Sequence, residues 1–156
     1  MKKLVLFISI VVASAFFSSN ASAQGKYGAD SAECIKYLSY YTEYYKQKNY
    51  EAALPNWRKA YALCPPTARY SLLTDGTTLL RREISKSTTS PEYKKKLIDS
   101  LMTIYDQRVE FWPKYRVASL NNQALDMYNY MKNDNQELYA GLSKVISANG
   151  NNTKPN

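Results

Sequence analysis

The sequence predicts an all-α fold of three antiparallel helical hairpins stacked side by side. Three observations carry the prediction. Apolar residues recur at i, i+3 and i+4 along six segments, the signature of helices with one buried stripe. Turn signals separate the segments: Lys48-Asn49, Pro65-Pro66, the polar run 85–90, Pro113 and Asn133 to Asn135. The connections within and between hairpins are short enough that neighbours must pack antiparallel.

The first helix is expected from about Ser31 to Gln47, opened by Asp30 and Glu33 in capping-box spacing. The second runs from Tyr50 or Glu51 to Leu63 and is stopped by Pro65 and Pro66. Pro55 lies inside it and predicts a kink. A third helix carries Tyr70, Leu72, Leu73, Leu79 and Leu80, interrupted by Gly76, and ends near Glu83 or Ile84. Ser90 followed by Pro91 is a cap with proline at the first helical position, opening a fourth helix that ends at Phe111 or Trp112 before Pro113. That helix has two apolar stripes, one through Leu97, Leu101, Ile104 and Tyr105 and one through Ile98, Met102, Tyr105 and Val109, so it should be covered on two sides. The last hairpin spans about Arg116 to Met131 and Asn135 to Ala148. Residues 149–156 are rich in Asn, Gly, Lys and Pro and are expected to be a disordered tail.

The chain opens with Lys2 and Lys3, an apolar run of 14 residues from Leu4 to Phe17, and the small-residue segment Ala21-Ser22-Ala23. This is the pattern of an export signal, cleaved between Ala23 and Gln24. The run is short of the roughly 20 residues that span a bilayer, so a cleaved signal fits better than a retained anchor. No cysteine follows the small residues directly, Cys34 lying eleven positions past Ala23, which disfavours a lipid-modified N-terminus. The expected organisation is a signal over 1–23, a flexible lead over 24–30, a helical domain over 31–148 and a tail over 149–156. The protein is thus expected to be exported and not integral to a membrane, in the periplasm or at the outer membrane.

Without the signal, 19 basic residues face 13 acidic ones, an excess that favours acidic partners, while export disfavours nucleic acid. The chain has 15 tyrosines and no histidine, so it lacks the commonest general base and the commonest transition-metal ligand. Phosphate loops, nucleophile elbows, metal motifs and cofactor motifs are absent. Asp99, Asp106 and Glu110 are read as ordinary ion partners of residues such as Lys96 and Arg108 rather than a catalytic carboxylate pair. No enzymatic activity, metal or cofactor is expected.

In the first hairpin the residue types narrow the class. Counting from Cys34 as position one, Ala53 and Ala60 fall at positions 20 and 27, Trp57 at 24 and Pro65 at 32, with Tyr37, Tyr44 and Tyr50 at the large-residue positions 4, 11 and 17. This unit resembles the tetratricopeptide-repeat (TPR) family; the later hairpins fit its period loosely. With Leu54-Pro55-Asn56-Trp57 and the segment from Ser100 to Arg108, the chain is similar to the N-terminal part of exported repeat proteins of Gram-negative envelopes. The resemblance implies a right-handed superhelical α-α solenoid and an adaptor role, with another envelope protein or a subunit of an envelope complex as partner. It also implies a partner groove lined by Ile35, Leu38, Thr42 and Tyr45. Tyr41 stands at position 8, where the family has a small residue, which predicts looser packing within the first hairpin.

Two further features concern sites. Cys34 and Cys64 sit at the start of one helix and the end of its partner, and an oxidising compartment would let them form a disulfide; two buried free thiols are the alternative. Arg81, Arg82, Lys86, Lys94, Lys95 and Lys96 form a basic cluster, read either as a solvated face or as a landing site for an acidic glycan or an anionic lipid surface.

Overall fold

Apolar periodicity and caps predict six helices, and a computed structural model, which describes residues 25–152, contains them with no strand among those residues. They are α1 (Ser31–Lys46), α2 (Tyr50–Leu63), α3 (Tyr70–Ile84), α4 (Pro91–Phe111), α5 (Arg116–Met131) and α6 (Asn135–Asn149), with single 3₁₀ turns at Pro113–Tyr115 and Gly150–Asn152. The proposed signal segment lies outside the described residues. Among the described residues no helix is long and apolar enough to cross a membrane.

Local chemistry explains the boundaries. At the end of α1, Lys48 adopts φ 59°, its N–H donates to the Tyr45 carbonyl at 2.9 Å, and the Asn49 N–H donates to the Tyr44 carbonyl at 2.9 Å. This is a Schellman closure with lysine in the place usually held by glycine. Asn49 then caps α2, its side chain accepting from the Ala52 N–H. Ser90 caps α4 in the same way, accepting from the Tyr93 N–H, with Pro91 at the first position. Asp134 caps α6 by accepting from the Glu137 N–H at 3.0 Å.

The expected capping box is corrected, and three other segments are placed by their contacts. The capping box at α1 does not form: Asp30 makes no side-chain cap, and Glu33 instead pairs with Lys36 at 3.1 Å. The helix α2 continues through Pro55, which forgoes one backbone hydrogen bond in an otherwise packed element. The lead before α1 is folded over residues 25–30, because Tyr27 packs on the core and Gly28, at φ 79°, lies against Pro65. The start of the supposed tail is also structured: Asn149 is buried, its amide donates to Asn121 Oδ1 at 3.1 Å, and a 3₁₀ turn follows.

The main core joins α1 to α4. Tyr41, buried completely, does not loosen the first hairpin, because its ring reaches across to α3, where the hydroxyl meets Asp75 at 3.4 Å. Within that hairpin, Cys34 and Cys64 form a disulfide with their Cα atoms 5.1 Å apart. Trp57 ties α2 to α3 by donating Nε1–H to the Leu72 carbonyl at 2.7 Å. The helix α4 is covered on two sides as expected. Leu97, Leu101, Ile104 and Tyr105 are buried in the main core, while Met102 and Val109 pack against a smaller cluster of Leu120, Met127 and Val145 from α5 and α6.

Candidate functional site

Long side chains link helices two apart in sequence, and these links decide which predicted site residues are free. The helices α1 and α3 meet through Tyr41 and Asp75, α2 and α4 through Tyr61 and Gln107, α3 and α5 through Arg81 and Asp126, and α4 and α6 through Asp106 and Lys144. The arrangement is that of a helical repeat-like stack.

The four residues of the predicted groove differ in exposure. Ile35 is 45 % exposed, whereas Leu38 is 2 % exposed and belongs to the core, so it offers a ligand nothing to touch. Thr42 donates to the Leu38 carbonyl at 2.6 Å and lies 3.4 Å from the Arg69 guanidinium, which closes over it. Tyr45 is half-buried, edge-on to Tyr50 at 5.4 Å, and Tyr50 in turn lies 4.2 Å beneath the Arg82 guanidinium. Burial raises the Tyr45 phenol. The exposed rings of α1 are instead Tyr40 and Tyr44, which with Ile35 leave large apolar surface uncovered.

The basic cluster disperses. Arg81 turns inward: its Nε donates to Asp126 at 2.9 Å, and its Nη2 donates to the Tyr105 hydroxyl at 2.6 Å. Arg82 covers Tyr50, and Lys86 pairs with Glu83 at 2.8 Å. Lys94 and Lys95 line a cleft of about 570 Å³ that also contains Asp99, Asp134 and Glu137. Lys96 lies in a separate cleft against α2. The six side chains are thus divided among internal pairs, a ring face and two clefts, because helical rotation sends them in different directions.

Sequence reasoning missed a buried polar network centred on Asp126. Asp126 is 3 % exposed, accepts from Arg81 at 2.9 Å, and accepts from the Tyr105 hydroxyl at 2.8 Å. Nearby Arg108, 5 % exposed, donates to the Tyr70 hydroxyl at 2.9 Å while its guanidinium lies 5.4 Å from the Tyr70 ring centre and 5.1 Å from that of Tyr105. Two ring faces thus surround a buried cation, which compensates part of its lost hydration. The only sequence signal was an acid at 126 among the apolar positions of a helix. Asp106, by contrast, is an ion partner, but of Lys144 at 3.7 Å rather than of Lys96 or Arg108, and it accepts from Gln123 at 3.0 Å. No group of metal-ligating side chains occurs among the described residues.

Asp126→Ala is expected to lower stability by about 3 kcal/mol in urea titration, the low end for breaking a buried pair because Arg81 keeps some contact with water. Adding Arg81→Met should restore part of the loss; equal urea midpoints for Asp126→Ala and the parent would refute the buried pair. The phenols supply a second expectation. Burial, followed by the adjacent Asp126 carboxylate, raises Tyr105 far above the ordinary 10.0, and burial also raises Tyr41, Tyr61 and Tyr130. The folded chain favours the neutral phenols, so their contribution is fully present below the unfolded value near 10 and is lost as pH rises through the higher folded values. Stability should therefore fall above about pH 10, with phenolate absorbance rising later in the native chain than in the unfolded one. Superimposable native and unfolded titrations would contradict it.

No family model, curated protein or solved structure matches this chain.

Proposed function

We propose that the chain is a non-catalytic adaptor of TPR type, a right-handed superhelical stack that docks a protein partner in a bacterial envelope assembly. The observation that carries this is the distribution of uncovered apolar side chains. Ile35, Tyr40 and Tyr44 are 45, 49 and 37 % exposed at one end of the stack, and Leu125, Tyr128, Tyr139 and Ile146 are 43, 56, 77 and 49 % exposed at the other. The middle hairpin exposes Tyr93 and Phe111 less, at 36 and 37 %, so the largest exposures fall on the terminal hairpins, which suits an array whose ends meet other proteins; exposed tyrosine is a frequent anchor of such contacts. Further support comes from the spacing of Trp57, Ala53, Ala60 and Pro65 and from the signal-like leader, which argues for export to the periplasm or outer-membrane face.

A protein partner fits better than an acidic glycan or lipid surface held by residues 81–96. Those cations are divided among internal pairs and separate clefts. The test is photo-crosslinking in intact cells from a probe amino acid at position 40 or 44. One stoichiometric envelope protein is the expected product; capture of glycan or lipid alone, or of nothing, would refute the reading. Tyr40→Ala with Tyr44→Ala should abolish that product while moving stability by no more than about 0.5 kcal/mol. Tyr45→Ala, in contrast, should also destabilise the fold, because its ring packs on Tyr50.

A further inference from the structure

The helices α2 and α4 enclose a cleft of about 320 Å³ whose walls include Trp57, Tyr61, Tyr93, Arg58, Lys96 and Ser100. Three other clefts on the surface each contain at least one carboxylate, Asp99, Glu83 and Asp106 among them. No carboxylate among the described residues lines this one, and neither Arg58 nor Lys96 belongs to an ion pair among those residues. The Arg58 guanidinium donates to the Tyr93 hydroxyl and lies 5.9 Å from the centre of that ring, which holds a flexible cation at the rim. Tyr61 stacks on Trp57 with ring centres 5.1 Å apart, and its hydroxyl donates to Gln107 at 2.9 Å, so the aromatic wall is braced from behind. Two exposed cations without a carboxylate partner in the cleft leave it with a local positive charge that attracts an anion.

We propose that this cleft binds the carboxylate-bearing ring of an acidic sugar. The planar fork of Arg58 matches a carboxylate, Lys96 adds a second positive charge, and the Tyr61 and Tyr93 rings, with Trp57 buried behind them, offer apolar surface to the C–H face of a pyranose. A bare phosphate would leave the aromatic wall unused. The volume matches one small ring-bearing ligand at the lower end of ordinary binding sites. The cleft lies between α2 and α4, away from the tyrosines of α1, so it stands or falls independently of the adaptor reading.

The test is titration of the disulfide-intact chain with galacturonate, neutral galactose and inorganic phosphate, followed by NMR shifts of the amides of Arg58, Tyr61, Tyr93 and Lys96. Galacturonate should bind in about the millimolar range, as expected for so small a ligand, and weaken as salt is raised. Galactose and phosphate should bind about tenfold more weakly. Arg58→Gln and Lys96→Gln should each weaken galacturonate about fivefold and together abolish it, roughly the effect of losing charge-assisted contacts. The double variant should melt close to the parent, since neither cation makes an ion pair among the described residues and the Arg58 contact with Tyr93 lies on the exposed surface. Galacturonate failing to bind, binding the double variant equally well, or being matched by phosphate or by galactose would each overturn the assignment.

Discussion

Replacing Trp57 with alanine is expected to lower stability by about 3 to 5 kcal/mol, the range for removing a large aromatic from a packed interior. The indole is 3 % exposed, stacks on Tyr61 and donates to the Leu72 carbonyl. It also fills the notch left by Gly76, where a methyl group would overlap the indole ring atoms Cζ2 and Cε2. Gly76→Ala should accordingly cost about 1 to 3 kcal/mol by overpacking. The two substitutions share one space, so their effects should not add: in the Trp57→Ala background Gly76→Ala should cost far less, or even stabilise α3 through helix propensity. Thermal and urea unfolding of the four proteins measure this directly. An unmoved transition in Trp57→Ala would remove the α2 to α3 interface as described.

Reducing the disulfide is the second large effect. The cysteines are 30 positions apart, and closing a loop of that length removes enough unfolded-chain entropy to stabilise by about 3 to 4 kcal/mol. Against a total of about 5 to 15 kcal/mol for an ordinary domain, that is a large share. The Cys34→Ala, Cys64→Ala chain should melt about 10 to 20 °C below the oxidised parent, as the entropy of unfolding at this size implies. Mass spectrometry of the native, unreduced chain should find neither thiol alkylated. Two alkylated thiols, or coincident unfolding curves with and without reductant, would refute the bond.

Helices that the sequence made legible were those announced by local chemistry. The stops at Pro65 and Pro113, the caps at Asn49 and Ser90, and the two stripes of α4 each involve residues within a turn or two of one another. Asp30 and Glu33 show the limit of such reading, since the spacing of a capping box was present while Glu33 took Lys36 as its partner. The surroundings of single residues in the groove and the basic cluster were illegible for a related reason. Leu38 and Arg81 look like surface residues in a list of positions, but each turns inward once a third helix packs across its hairpin.

The sequence by itself determined six helices, their order and the closeness of Cys34 to Cys64, because backbone hydrogen bonding and capping are settled among near neighbours in the chain. Only the tertiary structure decided that Asp126 would find Arg81 and Tyr105, that Gly76 would receive Trp57, and that Arg58 and Lys96 would share a cleft. Those pairings depend on how far one helix is rotated and shifted against another. That geometry is set by the fit of side chains from many segments at once, and no stretch of sequence contains it.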